Sequence, residues 1–204
     1  AQAVTRHGGK LLADPLAVHG ADTAFCVPGE SYLALLDGLH ESRIRLVTCR
    51  HEAAAANMAE AHGKLTGRPG LCLVTRGPGA THAAVGVHTA FQDSTPLILL
   101  IGQVGGEHEE REAFQEIDYR RMFGPMTKWV AQIDRIDRIP EYINRAFSTA
   151  VSGRPGPVVL ALPENILFGD AVVADALPAQ PVQPAPAASD IRKLQDLLAA
   201  SQRP

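Results

Sequence analysis

Residues 46–67 read LVTCRHEAAAANMAEAHGKLTG. Leu46 to Cys49 is a short apolar run, the pattern of a buried strand. Arg50, His51 and Glu52 follow at once, and an Ala-rich stretch with helix-forming composition runs from there to Gly67, a helix-stop residue. A strand passing directly into a helix is the repeating unit of a parallel α/β sheet. It places the Glu52 carboxylate at the carboxyl end of a strand, where open α/β sheets bind ligands. From its position alone, Glu52 is either a helix-start residue favoured by the helix dipole or a chemically active acid. Burial opposes ionisation of such a carboxyl, and the helix N-terminus favours it.

The same alternation extends on both sides of this stretch. Thr23 to Val27 is predicted as a strand and Tyr32 to His40 as a helix. Arg45 to Cys49 is the next strand, and Glu52 to Leu65 its helix. Leu71 to Thr75 is a strand, and a Gly-Pro-Gly turn leads from it into a helix over Thr81 to Phe91. Leu97 to Ile101, Lys128 to Ala131 and Val158 to Leu162 are further strands, with a helix over Ile139 to Val151. The expected fold is α/β: a doubly wound, mainly parallel sheet of about six strands with helices on both faces. Two features strain this pattern. Pro15 lies inside the helical pattern Gly9 to His19 and should kink or split it, unless Asp14 caps a new start. The connection from Val104 to Arg120 is long for a compact domain, as functional loops often are.

The composition is 46% hydrophobic and 20% charged, enough for a substantial core, and the net charge of −3 gives no argument for nucleic acid or membrane surface as partner. No apolar run approaches the length of about 18 residues that a membrane span needs, and the opening residues carry no secretory pattern. Cys26, Cys49 and Cys72 lie in or beside apolar runs at spacings that match no metal site, the pattern of reduced thiols in a cytoplasmic protein. Residues 171–189 are rich in Ala, Val and Pro, with Pro178, Pro181, Pro184 and Pro186 close together, the composition of a semi-rigid linker. Ile191 to Ala200 then opens an amphipathic helix. The expected division is a domain over 1–170, a linker over 171–189, and the start of a truncated further domain over 190–204.

Short motifs sit at successive strand ends. Val27-Pro28-Gly29-Glu30 follows the first strand, Arg50-His51-Glu52 the second and Gly77-Pro78-Gly79-Ala80-Thr81 the third. Asp93-Ser94-Thr95-Pro96 precedes the fourth strand, and Gly102-Gln103-Val104 ends it. Ala113-Phe114-Gln115-Glu116 lies in the long loop, and Ser152-Gly153-Arg154-Pro155-Gly156-Pro157-Val158 leads into the last strand. In this order the set closely resembles the N-terminal pyrimidine-binding domain of thiamine-diphosphate enzymes. The nearest pattern is that of acetolactate synthase large subunits, from about Gly9 to Asn165.

The resemblance implies thiamine diphosphate as cofactor. It gives Glu52 the role of the carboxyl that hydrogen-bonds the aminopyrimidine ring and promotes loss of the thiazolium C2 proton, a task needing a group that accepts and returns a proton. It places Pro28, Gly29 and His82 at the cofactor; Pro28 and Gly29 also suit a plain turn. It assigns Phe114 and Gln115, on a mobile loop, to substrate positioning, with core packing as the other reading of Phe114. Gln103 faces either the cleft or neighbouring backbone. His51 either lines the site or braces a loop. Lys128 and Arg154 read as solvated or bridging. The GPG turn lacks the following Lys-Ser/Thr of a P-loop, and no metal site is expected within this chain.

The sequence departs from the synthase pattern in four places. Glu30 stands where a small residue is usual, His82 where Asn is usual and Gln92 where an apolar residue is usual, and the loop from Gly105 to Glu112 is strongly acidic. These changes bear on the substrate more than on the cofactor. No GDG motif occurs in the 204 residues. The resemblance therefore assigns the diphosphate and its Mg²⁺, and FAD where a synthase carries it, to other parts of the protein. The implied reaction is decarboxylation of a 2-oxo acid such as pyruvate, with transfer of the resulting unit to a second carbonyl. A decarboxylase, lyase or carboligase of another branch is the alternative within the family. A non-catalytic dimerisation or binding module is the alternative outside it. Homodimers or tetramers are implied, and the chain alone is expected to be inactive.

Overall fold

The computed structural model describes residues 4–178 and 184–203, so Pro181 lies outside the described residues. The chain opens with a short strand β1 (Thr5–His7) and helix α1 (Gly8–Val18), followed by β2 (Thr23–Cys26), a 3₁₀ turn over Glu30–Tyr32 and α2 (Leu33–His40). Next come β3 (Arg45–Thr48), α3 (Glu52–Thr66), β4 (Gly70–Val74), α4 (Gly77–Gln92) and β5 (Leu97–Gln103). The second half holds α5 (Tyr119–Phe123), β6 (Trp129–Gln132), α6 (Ile139–Val151), β7 (Pro157–Pro163), α7 (Glu164–Phe168), β8 (Asp170–Val172) and α8 (Ala188–Ala200). Six strands form one sheet in the order β3-β2-β4-β5-β7-β6, with every pairing parallel. This is the doubly wound α/β fold expected from the sequence.

Alternation along the buried strands divides two cores. Leu71, Leu73, Ile98, Leu100, Val158 and Leu160 pack against α1, α2 and α6. Cys72, Val74, Leu97, Leu99, Ile101 and Val159 pack against α3 and α4 on the opposite face. Successive strand side chains point to opposite faces, so continuous apolar runs such as LILLI serve both cores. Each fully buried Leu, Ile or Val contributes about 1.5–3 kcal/mol of transfer free energy. The helices α3 and α4 bury mostly Ala and Gly, which lets them lie very close. A Cβ on Gly86 would stand 2.6 Å from the Ala56 Cβ, and α3 also lies close on the sheet, since a Cβ on Gly70 at the start of β4 would stand 1.8 Å from the Ala59 carbonyl oxygen.

Several details differ from the sequence reading. Helix α1 runs unbroken through Pro15, and His7 rather than Asp14 caps it. Asp14 instead pairs with Arg6 at 2.8 Å and Lys10 at 2.9 Å. The Gly-Pro-Gly segment is the first turn of α4 rather than a turn ahead of it, with Pro78 at a position that needs no N–H. β1 and β8 form an antiparallel pair that periodicity did not reveal, because three residues are too few to show it. Within the long loop lie a 3₁₀ turn over Gly106–His108 and, at its end, the start of α5. Lys128 and Arg154 both bridge. The Lys128 ammonium donates to the Thr149 and Ser152 carbonyls, and Arg154 donates to Ser94 and to the Phe91 and Gln92 carbonyls. Cys26 and Cys72 are buried free thiols, pushed up from the ordinary thiol pKa by desolvation, and Cys49 is half-buried and free.

The topology positions a crevice. Helix α2 covers one face of the sheet, whereas α3 and α4 cover the other. Strand β2 therefore sends its chain one way while its two neighbours, β3 and β4, send theirs the opposite way. The loops part above the carboxyl ends of these three strands, which is where ligands enter folds of this kind. No described helix is long and apolar enough to cross a membrane.

Candidate cofactor site at the carboxyl ends of β2, β3 and β4

Glu52 is the first residue of α3, and its side chain retains 13% exposure. Its Oε2 lies 2.9 Å from Nδ1 of His82, which is carried by α4. Among the described residues, no protein group hydrogen-bonds Oε1. The first turn of α4 stands against that oxygen: a Cβ on Gly79 would be 3.6 Å from it, and 3.1 Å from Thr75 Cγ2. The carboxylate thus sits between two helix N-termini, whose unpaired N–H groups favour negative charge.

His51 precedes Glu52 and caps α3. Its Nδ1 accepts the Ala53 N–H at 3.1 Å. Its ring stacks on His82, with centroids 4.7 Å apart and planes 29° apart. Of the two sequence readings of His51, the structural one describes this contact, although the ring also borders the Glu52 cluster. Ligand atoms of His51, Glu52 and His82 lie within 4.8 Å of one another, a donor set of metal-binding type. His51 spends its Nδ1 lone pair on a backbone N–H, and His82 Nδ1 is engaged with Glu52, so the arrangement reads as a hydrogen-bonded cluster.

Pro28 and Gly29 form the turn after β2. A Cβ on Gly29 would lie 2.7 Å from the Thr75 Cβ, so only glycine lets this turn meet β4 so closely. Ser31 and Thr75 hydroxyls bond at 2.9 Å, and the buried Tyr32 hydroxyl donates to the Val27 carbonyl. Desolvation drives the Tyr32 phenol pKa well above its usual range, so it remains a neutral donor. These contacts join Gly29 through Thr75 to Gly79, and Gly79 to Glu52. Pro28 is exposed at the turn.

The loop residues are placed differently. Gln115 has φ +64°, and its carbonyl accepts the Gly77 N–H at 2.9 Å, which pins the loop to the start of α4. Phe114 is 72% exposed and so is no part of the core. With Glu30, Arg76, His108 and Glu164 it lines a hollow of about 350 Å³ that does not include Glu52 or His82. Gln103 is 4% exposed and braces backbone: its amide nitrogen donates to the Ile117 carbonyl and its oxygen accepts the Val104 N–H. The acidic loop is also tied down, since Glu116 accepts from the Glu110 and Ala113 N–H groups and Glu109 accepts from Gln132.

The sequence reading missed Arg76. Its side chain is 8% exposed and lies between Glu164, a close partner, and Glu30 at 3.2 Å. Nε has no partner among the described residues. This one guanidinium links the loops after β2, β4 and β7. A charged residue at the end of a fully buried strand was the available signal. Removing Glu164 leaves a buried cation short of its main partner, which typically costs about 3–5 kcal/mol. Because Glu164 is itself 32% exposed, Glu164→Ala is expected to cost about 2–3 kcal/mol in urea unfolding. Glu30→Gln breaks a pair whose acid is 71% exposed and should cost less than about 1 kcal/mol. Equal costs would show that Arg76 depends on neither acid in particular.

Comparison with known proteins identifies the family of the chain. The family model described as "Thiamine pyrophosphate enzyme, N-terminal TPP binding domain" matches residues 6–122. The chain is 39% identical over 163 residues to a probable acetolactate synthase large subunit of Methanocaldococcus jannaschii, covering 80% of this chain and 28% of that protein. It is 41% identical over 161 residues to the acetolactate synthase isozyme 3 large subunit of Escherichia coli, covering 78% and 28%. To the mitochondrial acetolactate synthase catalytic subunit of Saccharomyces cerevisiae it is 34% identical over 185 residues, covering 90% and 27%. The chain therefore spans under a third of the length of these relatives. On sequence match and sheet topology together, it belongs to the thiamine pyrophosphate enzyme family, within the part that forms the N-terminal cofactor-binding domain.

Proposed function

We propose that residues 1–170 are the pyrimidine-binding half of a thiamine-diphosphate site in an acetolactate-synthase-like enzyme. The observation that carries this reading is the Glu52 carboxylate. It is nearly buried at a strand end, with Oε2 held by His82 and Oε1 free of protein partners among the described residues. Such a carboxyl fits a ring nitrogen that must share a proton. Gly29 and Gly79, where side chains would collide with or crowd Thr75, let the turn after β2 and the start of α4 pack closely at the end of β4, beside this carboxyl. When bound, the cofactor supplies a nucleophilic carbon that accepts the electron pair left by decarboxylation. Glu52 would hold and return the proton on the pyrimidine. Pro28, Gly29 and His82 would border the ring, and Phe114 and Gln115 would position substrate from the loop.

The activity of the whole protein follows from this reading. It is decarboxylation of a 2-oxo acid, pyruvate or a close analogue, and transfer of the acyl unit to a second carbonyl. The names of the relatives and the GPGAT and AFQE motifs support the synthase-like branch. Mg²⁺ and the diphosphate, and FAD if present, would be held by a further part of the protein. Residues 171–189 would be its linker and 190–204 the start of its next domain. The uncovered stripe of Ile191, Leu194 and Leu198 on α8 supports this division. We place the protein in the cytoplasm, consistent with its reduced cysteines, and expect the enzyme to be a homodimer or tetramer.

Product analysis tests the reaction. Full-length enzyme with pyruvate, thiamine diphosphate and Mg²⁺ is expected to yield a carbon–carbon coupled product together with carbon dioxide. Release of free aldehyde alone would favour a simple decarboxylase. Residues 1–204 alone are expected to show no turnover, and substantial turnover by them would refute the half-site reading.

A further inference from the structure

We propose that Glu52 and His82 form a proton relay, in which His82 is a positioning residue that carries protons between the Glu52 carboxyl and solvent. The proposal rests on the reading of Glu52 as the proton partner of the cofactor, and extends it to a residue that departs from the synthase pattern. When Glu52 is ionised it offers only lone pairs, so the His82 Nδ1 at 2.9 Å from Oε2 is then the atom that carries hydrogen. In a neutral ring this leaves a free lone pair on Nε2. The side chain of His82 is 52% exposed while that of Glu52 is 13% exposed, so the imidazole spans from sheltered carboxyl to solvent. His51 is in the opposite state. Its Nδ1 accepts the Ala53 N–H, which puts its ring hydrogen on Nε2. Stacking of the two rings holds the plane of His82 while Glu52 sets its tautomer.

The relay balances without any other group. A proton from water binds His82 Nε2, and the Nδ1 proton passes to Glu52 Oε2. This leaves a carboxylic acid and the Nε2–H tautomer. On return, the carboxyl proton moves back to Nδ1 and the Nε2 proton leaves to water. No other bond is made or broken. An asparagine at this position could donate a hydrogen bond to Glu52 but could not exchange a proton in this way.

Two measurements test the relay. Long-range ¹⁵N NMR of the histidine rings in this chain, at a pH where both are neutral, is expected to show His82 as the Nδ1–H tautomer and His51 as Nε2–H. In Glu52→Ala, with folding checked by its amide spectrum, His82 should shift to mostly Nε2–H and His51 should not change. An Nε2–H majority for His82 in the parent chain overturns the proposal. In the full-length enzyme loaded with thiamine diphosphate, His82→Asn should slow exchange of the cofactor C2 proton with deuterium at least tenfold. Unchanged exchange in His82→Asn, with exchange abolished in Glu52→Gln, overturns the relay and leaves the reading of Glu52 standing. Unchanged exchange in Glu52→Gln overturns that reading and the relay with it.

Discussion

Glu52→Gln in the full-length enzyme is expected to lower kcat for the 2-oxo acid by about 10²–10⁴-fold, the usual worth of a positioned acid–base group. The substitution isolates proton transfer. Glutamine has nearly the shape of glutamate, and its amide oxygen can still accept from His82 Nδ1, now 2.9 Å from Oε2. Folding should change little, because loss of one negative charge at the start of α3 costs about 0.3–1 kcal/mol. What is lost is a group that can hold a proton and give it back. Steady-state carbon dioxide release at saturating cofactor measures the effect, with cofactor affinity measured alongside. A large fall in kcat at nearly unchanged affinity fits a proton-transfer role. Wild-type turnover would reduce Glu52 to a helix-start residue, one of the two roles its sequence position allowed.

How much of this was legible in the sequence depends on how local the signal is. Helix α6 was predicted over Ile139–Val151 and spans those residues, because its apolar positions and its end are set within the segment. Strands β4, β5 and β7 were found as apolar runs, but β5 and β7 are each two residues longer than expected and β4 is shifted by one residue. Their ends are fixed by parallel partners rather than by composition. Pro15 misled because the cost of a lost helix hydrogen bond is local, while α1 is held by packing against α2 and α6. Its residues Leu11, Leu12 and Leu16 are at most 1% exposed. The motifs located the crevice, since residues at successive ends of parallel strands must share one edge. They could not show that Arg76 joins Glu30 to Glu164, 46 and 88 positions away. Nor could they show that Gln103 turns to backbone or that His82 reaches Glu52, because such pairings are made by tertiary structure.

Gly9→Ala is expected to be among the most damaging small changes to the fold, at about 3 kcal/mol, the upper end of ordinary overpacking costs. A methyl at Gly9 would lie 1.9 Å from the Ala34 carbonyl oxygen and 2.6 Å from the Leu35 nitrogen, both backbone atoms of α2. The facing glycine is also too crowded for a side chain, since a Cβ on Gly38 would lie 2.7 Å from the Gly9 carbonyl oxygen. No side chain can rotate out of the way, so one helix must move against the sheet. Leu12, Leu16 and Leu35 are fully buried there and would lose contacts as it moves. Gly67→Ala is the natural comparison: Gly67 has φ +69° with nothing within 4 Å of the added atom, so only backbone strain of about 1 kcal/mol is expected. Urea unfolding of both variants separates crowding from strain, provided the slope with denaturant stays constant. If Gly67→Ala proves the costlier, helix contact at Gly9 is not what limits the fold. If Gly9→Ala is costlier, the effect should also reach the site. Helix α2 follows the turn that holds Gly29, so a displaced α2 shifts the Ser31–Thr75 contact and loosens the packing of Gly29 on Thr75.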